Sequence, residues 1–257
     1  MVKGLYTAYT GMINEQHRMD TLTNNLANST TVGFKKEGST SQSFDSVLAY
    51  KVKDTSAAAN IPRRIGINTP GVKIGENYTD YTQGSFKITD NKLDLALSGD
   101  GFFNIEFTNK AGETSTKYSR DGSFTLTTDG YLVTKDGNYV LGTNGRIRLN
   151  PLLDTSVDSF GRISQNDVVV AQLQLTDFTD YNYLEKYGEN LLNAVEGATV
   201  QNANAKVSSG YLEMSNVNIV SEMVDLIAIT RQYEANQKII KSYDSTLEIA
   251  ANQIGRV

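Results

Sequence analysis

The sequence predicts a mixed α and β protein, in which long N- and C-terminal helices pair as an antiparallel coiled coil around an inserted all-β, meander-rich domain. Near both ends of the chain, apolar residues recur every seven positions, which is the repeat of a coiled-coil seam. In the middle, Asp-Gly and Asn-Gly dipeptides recur between short apolar runs, which indicates β-hairpins.

The C-terminal segment carries the longer repeat. One heptad position is apolar throughout and holds Ile219, Leu226, Tyr233, Ile240, Leu247 and Ile254. A second line is only partly apolar and holds Met223, Thr230, Gln237, Asp244 and Ala251. A helix from Ile219 to Ile254 is roughly 54 Å long at about 1.5 Å per residue. Because a small domain does not cover that length, we expect a helical partner of similar length.

The N-terminal segment supplies that partner. Its apolar positions, also spaced by sevens, are Leu5, Met12, Met19 and Leu26. A flanking line holds Ala8, Glu15 and Leu22. These residues predict a helix over about 4–28, and the return of the chain to its C-terminus favours an antiparallel pair. Periodicity alone leaves one alternative open, namely two amphipathic helices that pack on a globular core.

The central part of the chain predicts a β meander over 93–149. Four turn dipeptides begin at Asp121, Asp129, Asp136 and Asn144, with segments rich in β-branched and aromatic residues between them. Both central residues of such turns tolerate positive φ. A further strand is expected around 168–175.

The predicted domain limits follow from these patterns. Residues 1–36 and 212–257 form the terminal coiled-coil domain, 37–75 form an extended connector, and 76–211 form the central β domain. Within the connector, 44–48 has the composition of a short helix. Within the β domain, 187–195 and 197–210 appear irregular.

An uncharged stretch follows the first helical repeat. From Thr21 to Phe34 there is no charged side chain, and amides such as Asn24, Asn25 and Asn28 are frequent. A neutral amide-rich surface suits burial against another protein, because amides pair without the cost of desolvating ions. A helix C-terminus followed by a polar turn explains the same residues, and both interpretations hold together.

Composition excludes several classes of function. The chain has 257 residues, a net charge of −5 and no cysteine, so thiolate metal sites and disulfides are impossible. Basic residues form no patch suited to nucleic acid, and no apolar run reaches the ~18 residues that span a bilayer. The single histidine, His17, has no neighbouring nucleophile or metal partner in the sequence. We expect no enzymatic activity, no cofactor, no membrane insertion and no cleaved signal peptide.

Paired motifs near the two ends of the chain resemble those of the flagellar basal-body rod and hook protein family. The N-terminal motif includes Asn25, Leu26, Asn28, Thr31, Gly33 and Phe34. The C-terminal motif includes Ser215, Asn216, Val217, Glu234 and Asn236. The central segments LDLALSGDGFF and YSRDGSF are also similar to the β domain of rod subunits. Within the family, length and central motifs are most like the distal rod proteins or their close rod paralogues.

The resemblance implies a structural axial subunit that polymerises into a helical tube and transmits torque from motor to hook. It implies copies of the chain itself, other rod and hook subunits and the flagellar type III export apparatus as partners. It places the protein in the flagellar basal body, outside the cytoplasmic membrane. The alternative is a secreted β-rich binding protein with a coiled-coil oligomerisation stem.

Overall fold

The computed structural model describes residues 2–45, 47–51, 63–188 and 190–254. The chain divides into two compact units. The helical unit comprises Met1–Leu26, Glu37–Thr79 and Ile219–Val257, and the β unit comprises Ala27–Lys36 and Asp80–Asn218. The described part of 37–79 therefore belongs with the terminal helices, whereas 212–218 belongs with the β strands.

Two long helices dominate the helical unit. Helix α1 spans Val2–Ala27, and helix α2 spans Ile219–Ile249 and continues as a π-helical turn over Ala250–Ile254. Neither segment contains proline, so the backbone hydrogen bonds of each helix continue without a break. These limits agree within two residues with the predicted helices. Neither helix has the length and apolar content of a membrane span.

Two antiparallel strand pairs complete the helical unit. Strand β1 (Glu37–Ser43) pairs with β4 (Val72–Thr79), and β2 (Val47–Lys51) pairs with β3 (Arg63–Asn68). The predicted short helix over 44–48 is wrong, because β2 begins at Val47. Strand pairing between distant residues overrides the local composition there. The part of the expected connector at 52–62 lies outside the described residues.

The β unit contains the remaining strands. In chain order they are β5 (Phe86–Ile88), β6 (Leu95–Ser98), β7 (Phe102–Thr108), β8 (Thr114–Ser119), β9 (Phe124–Leu126), β10 (Leu132–Thr134), β11 (Tyr139–Gly142), β12 (Gly145–Arg146), β13 (Thr155–Val157), β14 (Arg162–Gln165), β15 (Val168–Gln172), β16 (Leu175–Phe178), β17 (Leu184–Tyr187), β18 (Leu191–Ala194), β19 (Val200–Asn202), β20 (Lys206–Ser209) and β21 (Tyr211–Glu213). A single 3₁₀ turn, Tyr181–Tyr183, precedes β17.

Ten of these strands form one sheet in the order β17-β18-β8-β7-β11-β10-β9, to which β12, β16 and β19 attach. A second sheet has the order β13-β14-β15, and β20-β6 and β21-β5 are separate pairs. Regions 187–195 and 197–210, predicted as irregular, include strands β18 to β20. Their short, mixed-polarity sequences carry too little alternation to be recognised as strands.

Three of the four predicted turn glycines adopt positive φ, namely Gly130, Gly137 and Gly145. They lie in the hairpins that join β9 to β12, as the meander requires. Gly122 is different: it has no positive φ, and a Cβ atom there would collide with the carbonyl oxygen of Leu95. The expectation of positive φ at Gly122 is wrong, and the requirement for glycine comes from close backbone approach.

Two apolar clusters hold the β unit together. The larger cluster contains Leu95, Leu97, Phe103, Phe124, Leu132, Val140, Ile147, Leu149, Ile163, Leu173 and Val207. The smaller one joins Phe102, Phe178 and Leu192. Phe102 and Phe103 are adjacent on β7 and point to opposite faces, so one strand supplies both clusters.

Candidate assembly surface

The solvent-shielded face of α2 follows a heptad pattern made of two lines of residues. One line, with Leu226, Tyr233 and Ile240, belongs to the predicted apolar repeat, and the other does not. Residues at least partly shielded from solvent follow spacings of four and three through α2, namely Glu222, Leu226, Ile229, Tyr233, Asn236, Ile240 and Tyr243. Thr230, from the predicted second line, is partly shielded as well. The predicted second line from Met223 to Ala251 is mostly exposed. The second shielded line instead includes Glu222 and Asn236. Because these residues are polar, an apolar repeat does not reveal them.

Three close approaches among the described residues relate α1 to α2. Asn25 Nδ2 donates to Glu222 Oε2 at 3.3 Å. A Cβ atom at Gly11 would lie 3.1 Å from Asn236 Nδ2, and one at Gly4 would collide with the Tyr243 hydroxyl. As the residue number rises along α1, that of its contact on α2 falls. Glycine at these two positions lets large side chains of α2 approach the α1 backbone.

Asn25 connects three parts of the helical unit. Its side chain is fully buried. Besides its bond to Glu222, Nδ2 donates to the Glu37 carbonyl at 2.8 Å, and Oδ1 accepts from the Glu37 amide at 2.9 Å. Glu222 is itself buried, which is costly for a carboxylate unless hydrogen bonds compensate. The asparagine therefore fixes the end of α1 against both α2 and β1.

Apart from Asn25, which is fully buried, the predicted interface residues fall into two groups in the structure. Half-buried ones are Leu5, Met12, Met19, Leu26, Asn28, Leu226, Tyr233 and Ile240. Exposed ones are Asn24, Ile219 and Leu247. Ile254 belongs to the final turn, and its side chain lies outside the described residues. Contact of these residues with another subunit stays a prediction.

The first two turns of α2 carry an exposed apolar stripe. It consists of Val220, Met223, Val224 and Ile227, which are 72%, 49%, 60% and 53% exposed. Their spacing places them on one face of the helix. Tyr6, Tyr9 and Ile13 of α1 are exposed as well. Contiguous exposed apolar residues are characteristic of protein-binding surfaces.

The resemblance-derived motif residues lie mostly in the β unit rather than on the helices. Gly33 has a φ of 72°, and a Cβ atom there would lie 2.5 Å from the Asp121 backbone nitrogen. Phe34 is buried beneath Lys186, whose Nζ is 4.2 Å from the ring centroid. The Thr31 hydroxyl bonds to Asn28 Oδ1 at 3.1 Å. These contacts bend the chain after α1 and anchor it in the β unit.

The second motif meets the first at a buried ionic cluster. Glu213, fully buried, accepts from Lys35 Nζ at 2.6 Å and from Arg120 NH1 at 3.2 Å. Burial lowers the pKa of Lys35, and the neighbouring Glu213 carboxylate opposes that shift. We call Lys35, Arg120, Glu213 and Asn216 the clasp.

Asn216 extends the cluster by hydrogen bonds to the backbone. Its Oδ1 accepts from the Lys36 amide at 2.8 Å, and its Nδ2 donates to the carbonyls of Asp80 and Thr82 at 2.9 and 3.2 Å. Ser215 is buried and accepts from the Val217 amide at 3.3 Å. The motif residues on α2 differ, since Glu234 is exposed and Asn236 faces Gly11.

Three family models match separate parts of the chain. The model described as "Flagella basal body rod protein" matches residues 5–35. The model "Flagellar hook protein FlgE/F/G D1 domain" matches 96–174. The model "Flagellar basal body rod FlgEFG protein C-terminal" matches 208–254. The matched segments include α1, the hairpins of the β unit and α2.

Whole-length relatives agree with these models. The flagellar basal-body rod protein FlgG of Bacillus subtilis is 33% identical over 98% of this chain and 99% of its own length. FlgG of Caulobacter vibrioides is 32% identical over 96% and 97%. The flagellar hook-basal body complex protein FlhO of Bacillus subtilis is 29% identical over the full length of both chains. With identity above 30% along nearly the whole sequence, the chain belongs to the flagellar basal-body rod protein family.

Proposed function

We propose that this chain is a structural axial subunit of the bacterial flagellar basal-body rod and not an enzyme. The observation that carries this proposal is the match to rod proteins over nearly the whole chain, including both terminal segments. Subunits of this kind polymerise into a helical tube that transmits torque from motor to hook. The length and central motifs favour the distal rod type.

The terminal helices form the polymerising part in this proposal. We assign α1 and α2 to an antiparallel coiled coil, an arrangement supported by the reversed order of their three contacts. The stripe from Val220 to Ile227 remains exposed in the single chain and is suited to packing against neighbouring copies. Burial of about 25 cal/mol per Å² of apolar surface would drive that packing.

The β unit forms a separate compact part of each subunit in this proposal. Its two apolar clusters are buried within one chain, while Leu152, Phe160 and Val168 remain exposed on its surface. The proposed division keeps the terminal segments, 1–36 and 212–257, as the assembly domain, 37–75 as the connector and 76–211 as the β domain. The two compact units divide the chain differently, since 27–36 and 212–218 fall in the β unit and 37–79 in the helical unit.

Other flagellar proteins are the proposed partners. The subunit contacts further copies of itself and other rod and hook subunits. It leaves the cytoplasm through the flagellar type III export apparatus without cleavage of a signal peptide. It then resides in the basal body, in the periplasm or cell wall.

The test is isolation of hook-basal bodies from cells that carry an affinity tag in the exposed β13–β14 turn. The tagged chain should co-purify with the rod, and its intact mass should include the N-terminal residues. An export-apparatus mutant should retain the same chain in the cytoplasm. A tagged protein that is secreted freely while complete rods lack it would contradict the proposed function.

A further inference from the structure

The chain passes between its two units four times. The passages lie between residues 26 and 27, 36 and 37, 79 and 80, and 218 and 219. Any force that acts along the backbone from one unit to the other enters the β unit through these residues. The β unit must therefore hold the adjoining segments, 27–36, 80–84 and 213–218, more firmly than ordinary loops.

These three segments are joined to one another within the β unit. The Lys36 carbonyl accepts from the Asp80 amide at 2.8 Å. The Glu213 carbonyl accepts from the Gly33 amide at 2.8 Å, and its carboxylate accepts from the Gly84 amide at 3.1 Å. These three hydrogen bonds therefore join the segments in every pairwise combination.

The side chains of the clasp complete this connection. Asn216 bonds to the backbone of Lys36 and Asp80, the β-unit residues that adjoin two of the passages. Lys35 Nζ donates to the Thr82 carbonyl at 2.8 Å as well as to Glu213. Charged hydrogen bonds are about twice as strong as neutral ones.

The clasp is also attached to the body of the β unit. Arg120 follows β8 directly, and its NH2 donates to the Gly99 carbonyl at 2.8 Å. Its guanidinium lies 5.3 Å from the ring centroid of Phe102, in the smaller apolar cluster. Removal of one partner of a buried charge pair is strongly destabilising, so the cluster resists being opened.

We propose that the clasp transmits force within the subunit, so that load carried along the backbone passes into the β unit through the clasp residues. This role rests on the proposed function as a torque-transmitting subunit. It assigns to Lys35, Arg120, Glu213 and Asn216 a positioning role inside one chain rather than a contact between copies. Loss of the clasp should loosen the three segments without unfolding the sheet.

The experiment compares Asn216→Ala with Gln165→Ala in the purified full-length chain. Gln165 is a matched control: it is a buried amide that bonds to the Asn150 backbone at 3.0 and 2.9 Å and to Thr155. It holds the 150–155 turn and none of the three segments. Hydrogen exchange followed by mass spectrometry reports each region separately.

Asn216→Ala should raise exchange at least tenfold within 33–36 and 80–84, while β7 and β8 keep their protection. Gln165→Ala should raise exchange near 150–155 alone. Glu213→Gln keeps the side-chain volume, removes the charge and should loosen the same segments as Asn216→Ala. It replaces Asn216→Ala as the test variant if Asn216→Ala does not fold. Unchanged exchange in 33–36 and 80–84 in the folded variants would overturn the proposal.

A cellular measurement separates this proposal from the proposed function. Cells with Asn216→Ala should assemble rods but lose swimming speed more steeply than Gln165→Ala cells as the viscosity of the medium rises. Equal loss for the two variants would overturn the mechanical role. Absence of even the unmodified chain from purified rods would instead overturn the proposed function and leave the exchange result standing.

Discussion

Removal of the Asn25 side chain should destabilise the helical unit selectively. Asn25→Ala deletes two hydrogen bonds to the Glu37 backbone and one to the Glu222 carboxylate. A neutral hydrogen bond contributes about 1 kcal/mol and one to a charged group about 1.5–3 kcal/mol, so the loss is about 4 kcal/mol. No discount for solvent applies, because Asn25 is fully buried.

The assay is hydrogen exchange of the full-length chain, with the β unit as internal reference. A loss of about 4 kcal/mol corresponds to roughly a thousandfold faster exchange for amides that open with the helical unit. Thr23→Ala is the control, since Thr23 is exposed and its hydroxyl bonds only to the Met19 carbonyl among the contacts described. Equal protection of α1 and α2 in the two variants would refute the reasoning.

Three further predictions concern the seam, a turn and an ion pair. Leu226→Asp should leave the β unit folded but abolish incorporation into rods, because a carboxylate in the seam costs several kcal/mol; normal swimming would refute the seam. Gly33→Ala should lower the melting temperature more than Gly112→Ala. Both glycines have positive φ, but of the two only Gly33 has a backbone atom within 4 Å of an added Cβ. Equal melting temperatures for the two variants would show that this steric contact is unimportant. Hydrogen bonding by Arg146 lowers the pKa of Glu106 below its ordinary value of 4.5, so the pair stabilises above that pH and less as pH falls through the folded-state pKa. Arg146→Gln should therefore weaken resistance to urea at pH 7 more than at pH 3, and a loss independent of pH would contradict the pairing.

Much of the fold could be predicted because it is encoded locally. Helices α1 and α2 have long uninterrupted sequences, and the turns at Gly130, Gly137 and Gly145 have a strong dipeptide signal. Such features depend on residues within one or two turns of each other.

The remainder depends on residues that are far apart in the sequence. Glu213 pairs with Lys35 and Arg120 across 178 and 93 positions, and no local pattern relates them. The one sequence feature that points to this ion pair is the position of the charges beside the two motifs. Lys35 directly follows Phe34, and Glu213 lies two residues before Ser215. An apolar repeat likewise gives no indication of the polar residues on the shielded face of α2, Glu222 and Asn236.

The expected role of the amide-rich stretch also changes with the structure. Asn25 is fully buried within the helical unit, which places its amide in an intrachain role. Asn24 is exposed and stays a predicted contact between subunits. Neutral amides thus occur both at a buried contact within the chain and on its exposed surface, and sequence alone does not distinguish the two.

The most direct measurement of the central claim is an electron cryomicroscopy map of hook-basal bodies from the parent organism. The proposed function predicts that the rod contains this chain and that the Val220 to Ile227 stripe packs against neighbouring copies. A complete rod whose density excludes this chain, or one in which the stripe faces solvent, would contradict it.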